Sequence, residues 1–435
     1  MDKLIFKKDI STLIALTVFL FLFPVISTLY GQENRGEVYH YARKVVDTMT
    51  SESMHGRGYV NDGDKIAANY IRTQFQLYGL KSFTEDYYQK FSFPVNTFPG
   101  EISMEADNKK LIPGKDFIIY SHSPSAKGKY AVLIADEKLV QKKRRFKRFL
   151  KKDFSNKILV VNDTGKQTDR LHDLLGNGSK AKAIVALKDK LTWSVAQSVN
   201  DFPLIEVLRT SISNPKEIGF VIESKIIPNY PSQNVIGYIK GSEYPDSFIV
   251  FSAHYDHLGQ MGKDVYFPGA NDNASGCAML LNLAKRYSMP EHKPKYSIAF
   301  IAFCGEEAGI LGSKYYTENP LFPLKNIRFL LNMDIMGTGE DGITAVNGSV
   351  FKEEFSNLVK INTQNKYIKE VKTRGKAANS DHYFFSEKGV PAFFIYSMGG
   401  IKAYHDIYDR SETLPLNEFE NLFKLITSFC EYLQN

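Results

Sequence analysis

The chain has 435 residues, 43% of them hydrophobic and 24% charged, with a formal net charge of +7. That balance excludes a disordered or fibrous chain, and the length suffices for a large domain and a smaller one. The cysteines are Cys277, Cys304 and Cys430. Nothing in their placement resembles a disulfide framework or a thiolate metal site, so zinc, if present, must be held by His, Asp and Glu.

Lys3, Lys7 and Lys8 precede an apolar run over residues 13–25, and small or turn-forming residues follow near Ser27 and Gly31. This reads as a secretory signal over residues 1–31, leaving a secreted or periplasmic mature chain with no stable membrane association. The apolar run sits at the short edge of the roughly 17–25 residues that span a bilayer, so an uncleaved anchor is the alternative. Residues 35–49 and 65–78 carry apolar positions at helical spacing, and residues 87–98 read as extended. These fall in an N-terminal part of the main domain, residues 32–100.

Residues 101–231 change character and read as a smaller inserted domain, α/β or β-rich. Strands are expected at 130–135, 158–161 and 183–187, with a helix over 167–175. A basic run, Lys142, Lys143, Arg144, Arg145, Lys147 and Arg148, reads as a solvated helix face. No nucleic-acid-binding signature accompanies it, and nucleic acid is not an expected partner.

From residue 232 to the end, strand and helix patterns alternate. Strands are expected at 235–238, 247–252, 297–303, 328–333 and 392–396. Helices fit at 274–287, 310–317, 351–364, 381–388 and 416–433. Runs such as 298–303 are apolar at every position, as in an α/β sheet covered by helices on both faces. In such sheets ligands gather at the carboxyl ends of the strands.

Polar motifs stand at those ends. They are His254-Tyr255-Asp256-His257, the segment around Asp272, Gly305-Glu306-Glu307, Asp334, and Tyr404-His405 with Asp409. Buried carboxylates lose solvation and repel one another. Apart from Arg410 after Asp409, no Lys or Arg sits beside these motifs to neutralise them, whereas divalent cations with neutral imidazoles would. Oxygen and imidazole donors without sulfur suit zinc, with cobalt or manganese as alternatives.

With Gly56-Arg57-Gly58, Ala67–Ile71, Gln89–Phe91 and Asn234–Gly237 added, the chain resembles the M28 family of co-catalytic zinc peptidases. That resemblance covers most of the mature chain and implies an αβα sandwich around a mixed, mostly parallel sheet. The insert resembles, more loosely, a protease-associated domain. The resemblance further implies two zinc ions, with His254 and Asp334 on one, Glu307 and His405 on the other, and Asp272 bridging both. Glu306 would be the general base. Asp256 would orient a ligand imidazole, and Tyr404 would donate to the developing oxyanion. Ser380-Asp381-His382 is either a helix cap or part of the pocket wall. The implied activity is exopeptidase action on peptides, with an aminopeptidase preferred. A carboxypeptidase, a one-zinc glutaminyl cyclase of the same fold, and a non-catalytic binding relative are the alternatives.

Overall fold

The computed structural model describes residues 35–163 and 169–435, so the expected signal over residues 1–31 lies outside the described residues. Strand β1, Tyr88–Thr97, follows two helices, Glu37–Met49 and Gly63–Leu77. The inserted unit then supplies β2 (Ile102–Ala106), β3 (Lys109–Leu111), β4 (Phe117–Ile119), β5 (Ala126–Ala135), β6 (Lys157–Asn162), β7 (Ala183–Lys188), β8 (Leu204–Leu208) and β9 (Glu217–Ile222). The chain returns in β10 (Lys225–Ile239) and β11 (Tyr244–His254), then a hairpin of β12 (Gly259–Met261) and β13 (Val265–Phe267). The main domain ends with β14 (Tyr296–Phe303), β15 (Ile327–Met333), β16 (Ile343–Val346), β17 (Val371–Arg374) and β18 (Ala392–Ser397).

Two sheets of eight strands result. The main sheet runs β1-β10-β14-β11-β15-β18-β16-β17. Its centre, β14-β11-β15-β18, is parallel throughout, while β1, β10 and β16 join antiparallel neighbours. Four parallel strands side by side present their carboxyl ends along one edge, which is where the polar motifs fall.

Alternation along these strands buries both faces. Ile249, Phe251, Ile298 and Phe300 pack on one face beneath the helices Glu37–Met49, Gly63–Leu77, Ser275–Ser288 and Phe419–Leu433. Val250, Ala299, Ile301 and Phe303 pack on the other against Tyr316 and Phe385 of the helices Leu311–Glu318 and His382–Glu387. This is the αβα sandwich. A side chain such as Phe300, removed completely from water, contributes about 1.5–3 kcal/mol.

The insert has its own sheet, ordered β3-β2-β9-β5-β6-β7-β8-β4. One face shares a core with Leu258, Met261 and Phe267 of the main domain. The other is covered by short helices, among them Lys143–Phe149, which buries Phe146 and Phe149 and leaves the basic run exposed. The insert is strung on one antiparallel pair: β1 ends at Thr97 opposite Lys225, where β10 begins. β10 therefore crosses the expected boundary at residue 232, because seven residues read as insert belong to a main-sheet strand. The short strands β16 and β17 at the sheet edge have no counterpart in the sequence reading. All three cysteines are free and buried.

Candidate metal centre

His254 ends β11, Glu306 and Glu307 follow β14, and Asp334 follows β15. Asp272 lies in the segment before the helix Ser275–Ser288, and His405 in the loop after β18. All five expected ligands come together. His254 Nε2 lies 3.3 Å from Asp272 Oδ1 and 3.4 Å from Asp334 Oδ1. His405 Nε2 lies 3.0 Å from Asp272 Oδ2 and 3.2 Å from Glu307 Oε2. Asp272 thus offers one oxygen to each half of the cluster.

The second imidazole nitrogens fix which atom faces inward. His254 Nδ1 lies 3.1 Å from the Asp256 carbonyl, and His405 Nδ1 lies 3.1 Å from the Trp193 carbonyl. A carbonyl only accepts, so Nδ1 carries the proton in each ring and Nε2 offers a lone pair when the ring is neutral.

The charges gathered in the cluster shift one another's protonation. Burial opposes a charged His405, but Glu307 and Asp272 outweigh it and raise its pKa to about 11. His254 is likewise raised well above its ordinary value: burial opposes, and Asp334, Glu306 and Asp272 prevail. Burial pushes the Glu307 carboxyl up, yet the neighbouring His405 and His257 bring it down to about 2. The donor atoms of His254, Asp272 and Asp334 lie within 4.8 Å of one another, and buried Asp334 Oδ1 has no hydrogen-bond partner. The oxygen and imidazole set fits divalent zinc in each half.

Glu306 and Glu307 diverge after Gly305, whose φ of 79° favours glycine and turns the chain out of β14. Glu307 reaches the two imidazoles His257 and His405. Glu306 is partly exposed beside the other half, where burial raises its pKa well above the carboxylate range; Glu307, Asp334 and Asp381 add to this and His254 opposes it.

The structure differs from expectation at Asp256. Its carboxylate is 3.8 Å from His254 Nδ1, which bonds the backbone carbonyl instead. The carboxylate accepts from the Tyr59 hydroxyl at 2.7 Å and from the backbone N–H groups of Glu306 and Glu307 at 3.2 and 3.3 Å. It therefore holds the two-glutamate turn. Tyr404 stacks on His405, with ring centroids 3.9 Å apart and planes at 11°, and remains 43% exposed. Burial, then Asp272 and Glu307, raise its pKa, so the phenol keeps its proton.

Four further residues support the site, and of these only Ser380 had an expected place, in a helix cap or the pocket wall. Asp409 is buried and accepts the backbone N–H groups of Asn271 and Asp272 at 2.9–3.0 Å. His257 Nδ1 lies 2.7 Å from Glu307 Oε1. Ser380 donates to Asp334 Oδ2 at 2.9 Å and accepts from Asn332, which in turn accepts from Ser252. Arg57 stands beside these motifs in space, contrary to the expectation that no Lys or Arg does. It is fully buried and donates to the carbonyls of Tyr255, Met49, Pro268 and Gly269 at 2.6–2.8 Å. Its distance along the chain hides it: it lies 211 positions from Pro268. Asp409 and His257 had visible signals, a carboxylate and an imidazole inside ligand motifs.

The fold is shared with solved peptidases. It matches a zinc aminopeptidase from Bacillus subtilis, BSAP, with a TM-score of 0.67 over 90% of this chain and 93% of that one, at 19% identity. A peptidase M28 precursor from Shewanella amazonensis SB2B gives 0.69 over 91% and 93%, at 16% identity. Residues 234–430 match the model of Peptidase family M28. A probable zinc metalloprotease of Pyrenophora teres f. teres is 38% identical over 114 residues, 25% of this chain and 24% of that protein. Aminopeptidase YwaD of Bacillus subtilis is 31% identical over 169 residues, 36% and 35% of the two. The matched part thus spans about a quarter to a third of these two relatives.

Proposed function

We propose that the chain is a two-zinc aminopeptidase that hydrolyses N-terminal residues from peptides. The observation that carries this reading is Asp272, whose two oxygens face the imidazoles of opposite halves at 3.3 and 3.0 Å. His254 and Asp334 would hold one ion, Glu307 and His405 the other, and Asp272 would bridge them. His257 would orient Glu307, since its Nδ1 is committed to one carboxylate oxygen while His405 Nε2 faces two residues. Bound zinc would supply Lewis-acid polarisation of the scissile carbonyl and would acidify a water molecule.

The chain's own residues supply the rest. Glu306 takes a proton from the attacking water and returns it to the leaving amine. Asp256 holds the Glu306 backbone so that its side chain stays in reach. The Tyr404 phenol donates a hydrogen bond to the developing oxyanion. BSAP, whose fold this chain shares, is a zinc aminopeptidase, and YwaD is an aminopeptidase. No helix among the described residues is long and apolar enough to cross a membrane. The enzyme would be secreted or periplasmic and carry a protease-associated-like insert.

The test is a panel of peptides with free and blocked N-termini. Cleavage confined to free N-termini is expected. Cleavage from the carboxyl end would identify a carboxypeptidase instead, cyclisation of N-terminal glutamine a glutaminyl cyclase, and binding without turnover a non-catalytic relative.

A further inference from the structure

The loop between β7 and β8 leaves the inserted sheet and reaches the metal centre. Trp193 and His405 are joined twice: the Trp193 N–H donates to the His405 carbonyl at 2.9 Å, and His405 Nδ1–H donates to the Trp193 carbonyl at 3.1 Å. The same loop braces the neighbouring turn, where Gln197 Nε2 donates to the Ala308 carbonyl at 2.7 Å. Lys190 Nζ reaches the carbonyls of Lys402 and Tyr404 at 3.1 and 3.4 Å and pairs with Asp406 at 3.3 Å, on both sides of His405.

The loop is itself held firmly. The Trp193 ring is 5% exposed and stacks on Phe267 of the main domain with centroids 4.5 Å apart. Its indole N–H donates to the Ile119 carbonyl at 2.7 Å. The Asn96 N–H of β1 donates to the Ala196 carbonyl at 2.8 Å. The loop is thus tied to the main domain at β1 and at the β12–β13 hairpin, and to the site at His405 and Ala308.

We infer that the inserted domain is a working part of the metal centre: through Trp193 it sets the tautomer and direction of His405, and so the zinc affinity of the Glu307–His405 half. The physical reason lies in the contrast between the two histidines. His254 sits at the end of a central strand, and its Nδ1 partner is two residues along the same chain. His405 sits in a loop after the last strand of the main sheet, and its Nδ1 partner is 212 positions away, in the insert. Partners that fix a ligating imidazole typically govern metal affinity by about 10–100-fold. The two halves should therefore respond unequally when the insert's grip is loosened. Trp193, Gln197 and Lys190 act as positioning residues.

This inference rests on the two-zinc reading, and the experiment separates the two. Zinc binding to the purified full chain is titrated against a chelating indicator, and cobalt-substituted protein is followed by its visible absorption. Wild type is expected to take two ions; fewer than two would overturn the two-zinc reading and this inference with it. Trp193→Ala, folded by circular dichroism, is expected to keep one ion at wild-type affinity and bind the other about 10–100-fold more weakly. The absorption of that one half should change, and Trp193→Phe, which keeps the stacking, should restore much of the affinity. Equal weakening of both halves, or no weakening, would overturn the inference. If Trp193→Ala does not fold, Lys190→Ala, whose side chain is half exposed, together with Gln197→Ala carries the test. Several-fold weakening of one half alone supports the inference, and wild-type binding of both ions refutes it.

Discussion

Asp256→Asn separates two accounts of the same carboxylate. In the structure it accepts three hydrogen bonds, from the Tyr59 hydroxyl and the Glu306 and Glu307 N–H groups, and none from an imidazole. The asparagine amide is isosteric but has one accepting oxygen. With that oxygen at the Oδ2 position, the bonds to Tyr59 and Glu307 survive as neutral ones and the Glu306 N–H faces a donor. A bond to a charged group contributes about 1.5–3 kcal/mol and a neutral one about 0.5–1.5, while an abandoned buried donor costs about 1–3. Relief of the buried charge offsets part of this, since burial already raises the Asp256 pKa. A net loss of about 2–3 kcal/mol at the turn remains. If it falls on the placement of Glu306, kcat drops by about 10²-fold. His254 keeps its bond to the Asp256 carbonyl, so metal content should not change. Peptide turnover and bound zinc, measured on the same preparation, decide the matter. Full turnover, or loss of an ion with the turnover, would refute this account and return Asp256 to orienting His254.

Glu306→Gln should retain both ions and lose turnover by about 10²–10⁴-fold, the usual contribution of a general base, as read by steady-state kinetics with metal analysis. Substantial residual hydrolysis would remove Glu306 from that role. Asp64 offers a pH test away from the ligands. Burial raises its pKa from 3.8 to about 7, while hydrogen bonds from Tyr230 and Ser232 oppose the shift. The folded state therefore holds a proton the unfolded chain has released, so stability is fully present below about pH 4 and declines as pH rises to about 7. Urea midpoints at pH 4.5 and pH 8 should differ less for Asp64→Asn than for wild type, and an equal difference would contradict the assignment.

The sheet and the clustering of the candidate ligands were legible because both are written locally. A central strand apolar at every position, such as residues 298–303, announces burial on both faces, and each candidate ligand but Asp272 and His405 lies at or just after the end of a central strand. The partners of those ligands were not legible. Arg57 serves carbonyls some 200 positions away, and Trp193 reads as an ordinary aromatic until the fold brings its carbonyl to His405. Asp256 shows the intermediate case. Its presence in the site follows from the His254 motif, but which atoms it serves depends on how far the chain turns after β11. β16 and β17 were missed because they are four residues each and sit at the sheet edge. The end of the insert was misplaced because β10 starts with mostly exposed positions and carries Pro228 and Pro231, and only pairing with β1 marks it as main-sheet strand.

The central claim is that Asp272 bridges two ions. Zinc bound to the purified full chain after equilibrium dialysis, set beside His254→Ala and His405→Ala, tests it most directly. Two ions per wild-type chain, and loss or strong weakening of a different ion in each variant, is the predicted result. A wild-type chain that binds one ion or none, or variants that both lose the same ion, would contradict it.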